Sequence, residues 1–264
     1  MLLSDISQIT DNYDHIYLSP HLDDAALSCG GAIARHSTRG ARVLVVTLCT
    51  AVPPAEGPFS EFAAAMHSRW NLPADQVVAT RLHEDAQALE RIGADGLWAG
   101  FSDAIYRMPE QYNEPAKLFG SAAPGDPQHQ QVMALLDDLH ARAPSATFYS
   151  PLAIGGHVDH RIMYDATIAG GWGRSTAFYE DIPYVHQGGA IEQRMQQLPR
   201  PFVASIIDID ASLRRKLDAI AAYSSQMNEL FGGEATMRAE IMAYHETLRP
   251  ELGTHGERLW VMGH

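Results

Sequence analysis

Two short apolar runs enclose one amphipathic stretch near the start of the chain, and that order narrows the fold more than any other feature. His15-Ile16-Tyr17-Leu18-Ser19 is a buried-strand pattern stopped by Pro20. Asp23 to His36 reads as a helix with acids in its first turn and Gly40 past its end, and Val43 to Cys49 is a second β-branched run. Strand, helix and strand within about 35 residues make a βαβ unit, the building block of a parallel sheet. The alternation continues. Helices are expected near Glu61–Trp70 and Gln76–Ile92, a short strand at Gly96–Gly100, a helix at His129–Arg142 and a strand at Ala146–Ser150. A helix from Val158 to Ala169, strands at Thr176–Glu180 and Phe202–Asp208, helices at Ala211–Tyr223 and Glu234–His245, and a last strand at Arg258–Met262 complete the reading. The expected architecture is a Rossmann-like three-layer α/β/α sandwich with a mostly parallel sheet. No linker, repeat or low-complexity tract breaks it, so residues 1–264 are read as a single domain. Two stretches read as irregular: the proline-rich loop Thr50–Ser60, and 101–127, a length typical of binding loops.

The charge balance sets limits on partners. With 19 basic and 32 acidic residues the net charge is −13, the wrong sign for nucleic acid or an anionic membrane surface. No apolar stretch approaches the roughly 18 residues of a membrane span, and the first residues lack a basic, then apolar, leader pattern. Cys29 and Cys49 each sit in an apolar segment, as buried free thiols do. A cytoplasmic protein is the expectation.

Two predicted strand ends are rich in metal-ligand residue types: Ser19-Pro20-His21-Leu22-Asp23-Asp24 and Pro151 through Gly155-Gly156-His157-Val158-Asp159-His160. Ligands of open parallel sheets bind beyond the carboxyl ends of strands. His21 and Asp24 are three apart, as are His157 and His160, and that offset puts two side chains on one face of a helical turn. Two imidazoles and a carboxylate are a common catalytic zinc set that leaves one position for water. Asp23, beside Asp24 but pointing elsewhere, suits a general base. Each residue also has a plainer reading: Asp23 or Asp24 as a helix cap, His21 as a core histidine, His157 to His160 as a solvated loop. Capping does not explain two such clusters at two strand ends of one sheet.

The segment SPHLDDAALSCGGAIA with the later GGHVDH resembles the zinc-dependent N-acetylglucosaminyl-deacetylase family, PIG-L or LmbE-like, over roughly His15 to Glu180. The resemblance implies His21, Asp24 and His160 as zinc ligands, Asp23 as general base and His157 as the oxyanion-stabilising residue. It implies that Asp159 orients His157 and helps keep it protonated. Arg81 and Asp103 would contact substrate; the plainer reading of Arg81 is an ion pair with Glu84 or Asp85 on its own helix. Two departures stand out: Leu22 where the family has proline, and Ala25 where it often has glutamate. Tyr179 to Tyr184 and Lys216 to Gln226 are similar to segments of one bacterial subset, and the first could line a sugar pocket.

The implied reaction is hydrolysis of the N-acetyl or another N-acyl group of an amino sugar or glycoconjugate. Asp23 would take a proton from water and pass it to the leaving nitrogen. The alternative is an amidase acting on a thiol-sugar conjugate or a glycosylated natural product at the same metal centre. The ligand set also accepts iron, cobalt or manganese. The expected partner is a small N-acetylated substrate, with no nucleic acid and no membrane insertion, and homo-oligomers are left open. A nucleotide-binding reading has Gly30-Gly31 as its best support, but these glycines sit inside a predicted helix and not at the strand–helix turn.

Overall fold

The computed structural model describes residues 1–53, 56–57, 59–70, 74–171 and 175–263. Parts of the expected loop at 50–60, namely residues 54, 55 and 58, lie outside the described residues. Eight strands form one sheet: β1 (Leu2–Leu3), β2 (His15–Ser19), β3 (Val43–Cys49), β4 (Asp95–Phe101), β5 (Thr147–Pro151), β6 (Thr176–Tyr179), β7 (Phe202–Asp208) and β8 (Gly256–Met262). Their spatial order is β1-β4-β3-β2-β5-β6-β8-β7. Pairing is parallel from β1 to β6 and antiparallel where β8 joins β6 and β7.

Helices cover both faces, and the period-two pattern of the strands decides which residues meet which layer. Ile16 and Leu18 of β2 pack with α6 (Gln128–Arg142) and α7 (Val158–Ala169), through Val132, Leu136, Val158 and Ile162. Tyr17 points the other way, into a cluster with Ala25, Cys29 and Ile33 of α1 (Asp24–Thr38) and Ala88, Leu89 and Ile92 of α3 (Ala74–Ile92). Helix α9 (Leu213–Ile220) completes that layer. The three-layer α/β/α arrangement is the one the sequence implied. Both cysteines are buried and free. Among the described residues no helix is long and apolar enough to cross a membrane.

Strand order reverses beside β2: the chain runs from β2 to β3 and β4 on one side, then returns through α6 to β5 on the other. Such a reversal opens a crevice at the carboxyl ends of the two flanking strands. The segments after β2 and β5 are the two that carry the His/Asp clusters. Helix α2 (Glu61–Trp70), the short helices α4 (Ala104–Arg107) and α5 (Pro115–Leu118), α8 (Ala190–Gln197), α10 (Ser224–Phe231) and α11 (Glu234–Thr247) fill out the periphery. The stretch 101–127 is therefore partly helical. Pro151 is the final residue of β5, paired with Tyr179, where the sequence reading ended the strand one residue earlier. A proline is tolerated at a strand end, where the next N–H, here that of Leu152, resumes the bonding to Tyr179.

Candidate metal centre and active site

The turn after β2 is stapled by a hydroxyl. Ser19 Oγ donates to the His21 carbonyl at 2.7 Å and accepts from Ala25 N–H at 3.1 Å. These bonds supply the stiffness that proline would give at Leu22. Asp23 at the head of α1 has φ 155°, positive for a residue that is not glycine. Such outliers cost free energy and gather at functional sites. The turn after β5 needs glycine at 155, where φ is +83° and a Cβ would meet the Tyr184 ring at 2.5 Å.

One oxygen sits at the centre of the two clusters. Asp24 Oδ2 lies 3.3 Å from His21 Nδ1 and 3.3 Å from His160 Nε2, and it also accepts the His21 backbone N–H at 2.8 Å. The far nitrogen of each ring is already bonded to a carboxylate. His160 Nδ1 is 2.7 Å from Asp181, and His21 Nε2 is 3.2 Å from Asp159. A carboxylate behind each imidazole fixes its tautomer and leaves the near nitrogen as an acceptor, the usual support of a metal-binding histidine. Tetrahedral ligands about 2.05 Å from a cation stand about 3.3 Å apart, which matches both contacts. Burial opposes charge on the rings, yet Asp24 and Asp181 carry the His160 pKa up to about 9, and Asp159 and Asp24 raise that of His21. Carboxylates set around both rings also favour a bound cation. The residues present fit a divalent metal.

Among the described residues, two groupings bring their ligand atoms within 4.8 Å of one another: His21, His157 and His160, and His21, Cys49 and Asp159. The second is a support more than a ligand set, because Asp159 is otherwise engaged. Its Oδ1 accepts from Arg107 at 2.8 Å and Gln128 at 3.2 Å, and its Oδ2 from Ala104 N–H at 3.2 Å. Burial would raise the Asp159 carboxyl, but His21 and Arg107 hold it well below the usual range. Arg107 is itself fixed by Asp126 and Gln128.

Asp159 was expected to orient His157, and the contact between the two runs through the backbone. The link is the Asp159 backbone N–H, which donates to His157 Nδ1 at 3.3 Å. An amide can only donate, so Nδ1 is the acceptor and the ring proton rests on Nε2. Burial, then the neighbouring His21, push the His157 pKa well down.

Asp23 faces the same cavity. Arg81 Nη2 donates to Asp23 Oδ2 at 3.2 Å and to the Leu22 carbonyl at 3.1 Å. Burial pushes the Asp23 carboxyl up to about 7, against the pull of Arg81. Arg81 is not engaged by its helix neighbours: Glu84 accepts from Ser224 and Ser225, and Asp85 from Trp98 and Tyr223. Arg81 Nε is buried with no hydrogen-bond partner. Asp103 caps α4 and places Oδ2 3.5 Å from His21 Nε2.

A cavity of about 350 Å³ opens over these groups. Phe62, Met66, Ile105, Leu118 and Leu230 form apolar walls, while Arg69, Gln226 and Glu229 add polar atoms. The Phe119 ring meets His157 edge-on at 5.3 Å, and Tyr184 meets His160 at 5.9 Å.

Residues 16–170 match the family model described as GlcNAc-PI de-N-acetylase, PIG-L. The chain belongs to this family. Among curated relatives, 2'-N-acetylparomamine deacetylase of Streptomyces fradiae is 30% identical over 220 residues, covering 81% of this chain and 74% of its own length. The protein of the same name from Niallia circulans is 28% identical, over 85% of both chains. Among solved structures, a zinc-inhibited form of teicoplanin deacetylase superposes with a TM-score of 0.77 at 27% identity, over 94% of this chain and 97% of that one. As a PIG-L protein with named deacetylases around it, the chain is a hydrolase of the N-deacetylase class.

Several site residues of this PIG-L chain escaped the sequence reading. Asp181 lies in a segment singled out as pocket lining, yet it stands behind His160. Of that segment, Ile182, Pro183 and Tyr184 do line the cavity, whereas Tyr179 OH is buried against the Leu18 carbonyl and Glu180 pairs with Arg258 and Trp260. Arg107, Asp126 and Gln128 carried no motif. Asp181→Asn is expected to weaken metal affinity about 10–100-fold, the usual loss when the partner of a ligating histidine is removed. Chelator competition measures it.

Proposed function

We propose that the protein removes the N-acetyl group from an amino sugar of a glycosylated natural product, giving acetate and a free amine, with zinc held by His21, Asp24 and His160. The observation that carries this reading is the Asp24 oxygen set 3.3 Å from two histidine nitrogens, with the non-ligating Asp23 next to it at the cavity floor. The metal supplies Lewis acidity, polarising a carbonyl and making water acidic near neutrality. Asp23 takes a proton from the attacking water and returns it to the leaving nitrogen, so one carboxylate serves both halves of the reaction. Arg81 holds Asp23 in place. The His157 ring, whose Nδ1 accepts from the Asp159 amide, offers its Nε2–H to the oxygen that gains charge as the acetyl carbon becomes tetrahedral.

The remaining groups suit a sugar. Arg81 and Asp103 both line the cavity, so both can meet hydroxyls. About 350 Å³ is at the low end of ligand sites, enough for one acylated sugar ring with the rest of the glycoside outside. Relatives named for 2'-N-acetylparomamine and teicoplanin favour a natural-product glycoside over a thiol-sugar conjugate.

A panel of free N-acetylglucosamine, 2'-N-acetylparomamine and an N-acetylglucosaminyl inositol tests the reading. Acetate and amine should appear in equal amounts, fastest from the paromamine glycoside. A chelator should abolish release, and zinc should restore it. Absence of acetate from every glycoside with the metal site loaded would refute the assignment.

A further inference from the structure

Gly30-Gly31 and Lys216, two sequence features the site does not use, meet inside the fold. The N–H groups of Gly31 and Ala32, in the middle of α1, donate to Glu257 of β8, at 2.9 Å to Oε1 and 2.7 Å to Oε2. Lys216 Nζ, from α9, donates to the Ser28 carbonyl at 3.3 Å and to Glu257 Oε1 at 2.6 Å. Ser212 Oγ donates to the Gly31 carbonyl at 2.8 Å. Lys216 and Glu257 are 0% and 2% exposed. The glycines make the approach feasible: a Cβ at Gly31 would stand 2.8 Å from Glu257 Oε1, and one at Gly30 3.1 Å from Lys216 Cγ.

The ion pair thus serves α1 at its middle as caps serve helix ends. A carboxylate receives amide N–H groups, and an ammonium meets a carbonyl. The segment before this point carries Asp24. It ends at Ser28, whose Oγ accepts the Ile182 N–H at 3.1 Å. Ile182 follows Asp181, the partner of His160. Lys216 therefore grips Ser28, a residue through which the helix of Asp24 is hydrogen-bonded to the loop of Asp181.

We infer that Lys216 and Glu257 are positioning residues for the metal centre: held at the Gly30-Gly31 notch in α1, they set Asp24 and the Asp181–His160 pair in register. The inference rests on the assignment of His21, Asp24 and His160 as ligands. A purely structural role makes a different prediction. Exchanging a buried ion pair for uncharged groups can leave a fold as stable or more so, and metal affinity would then stay where it was.

The test compares Lys216→Met, Glu257→Gln and the double variant with the parent. Zinc affinity is read by chelator competition, kcat and KM by acetate release, and folding by near-ultraviolet circular dichroism. Zinc affinity and kcat should each fall about 10-fold in the single variants, near the lower end for outer supports of a metal site. KM should change less than about threefold, because no substrate contact is lost. The double variant should be no worse than the weaker single one. Folded variants that keep zinc affinity and kcat within about twofold of the parent, whatever their Tm, overturn the inference. Should Lys216→Met fail to fold, Glu257→Gln, which has the same shape, decides alone. His160→Ala is the control: if it keeps its zinc, the ligand assignment fails; if it loses zinc while the others do not, only the positioning role fails.

Discussion

Asp23→Asn is expected to bind zinc as the parent does and to lose about 10²–10⁴-fold in kcat, the span attributed to a general acid–base group. The amide keeps the shape of the side chain and its oxygen for Arg81, so the turn at φ 155° is undisturbed. It cannot accept a proton from water or return one to nitrogen. Zinc content by elemental analysis and acetate release on the same preparation separate the two effects. A variant with full zinc and turnover within a few-fold of the parent removes Asp23 from the mechanism.

His160→Ala is expected to lose its metal, with an affinity loss beyond the ~10–100-fold that removal of an outer support costs, and activity to fall with it. The change also strands two buried carboxylates, since Asp24 and Asp181 both face the lost ring. Stoichiometric zinc in the folded variant would show that His160 is not a ligand. His157→Ala is the informative contrast: its Nδ1 is taken by a backbone amide, so metal should stay while turnover drops.

The parallel half of the fold was legible because β2 and β3 are short, largely apolar runs on either side of one amphipathic helix. Helix α7 was read at its observed bounds, Val158–Ala169. The His/Asp clusters were legible too, since local spacing puts their members on one turn. What stayed hidden depends on distance along the chain. Nothing near Arg107 or Gln128 signals that they meet Asp159, and Asp181 looks like any acid after a strand. Two-residue β1 is too short to carry a period, and α10 begins at Ser224, directly after the stretch read as one helix ending at Tyr223. Asp159 shows the same limit: its place beside His157 is plain in the sequence, but that the contact runs through the Asp159 backbone amide is visible only in the fold.

The bond between Ala32 and Glu257 spans 225 positions, whereas every residue assigned to the metal lies within the first 160. A chain emerging from the ribosome at about 5–20 residues per second displays all three ligands several seconds before strand β8 exists. During that interval the Gly31 and Ala32 amides lack the Glu257 carboxylate, and the nascent enzyme holds its chemistry without its frame. Maturation of the catalytic end of the molecule is thereby tied to synthesis of a strand on the far side of the sheet.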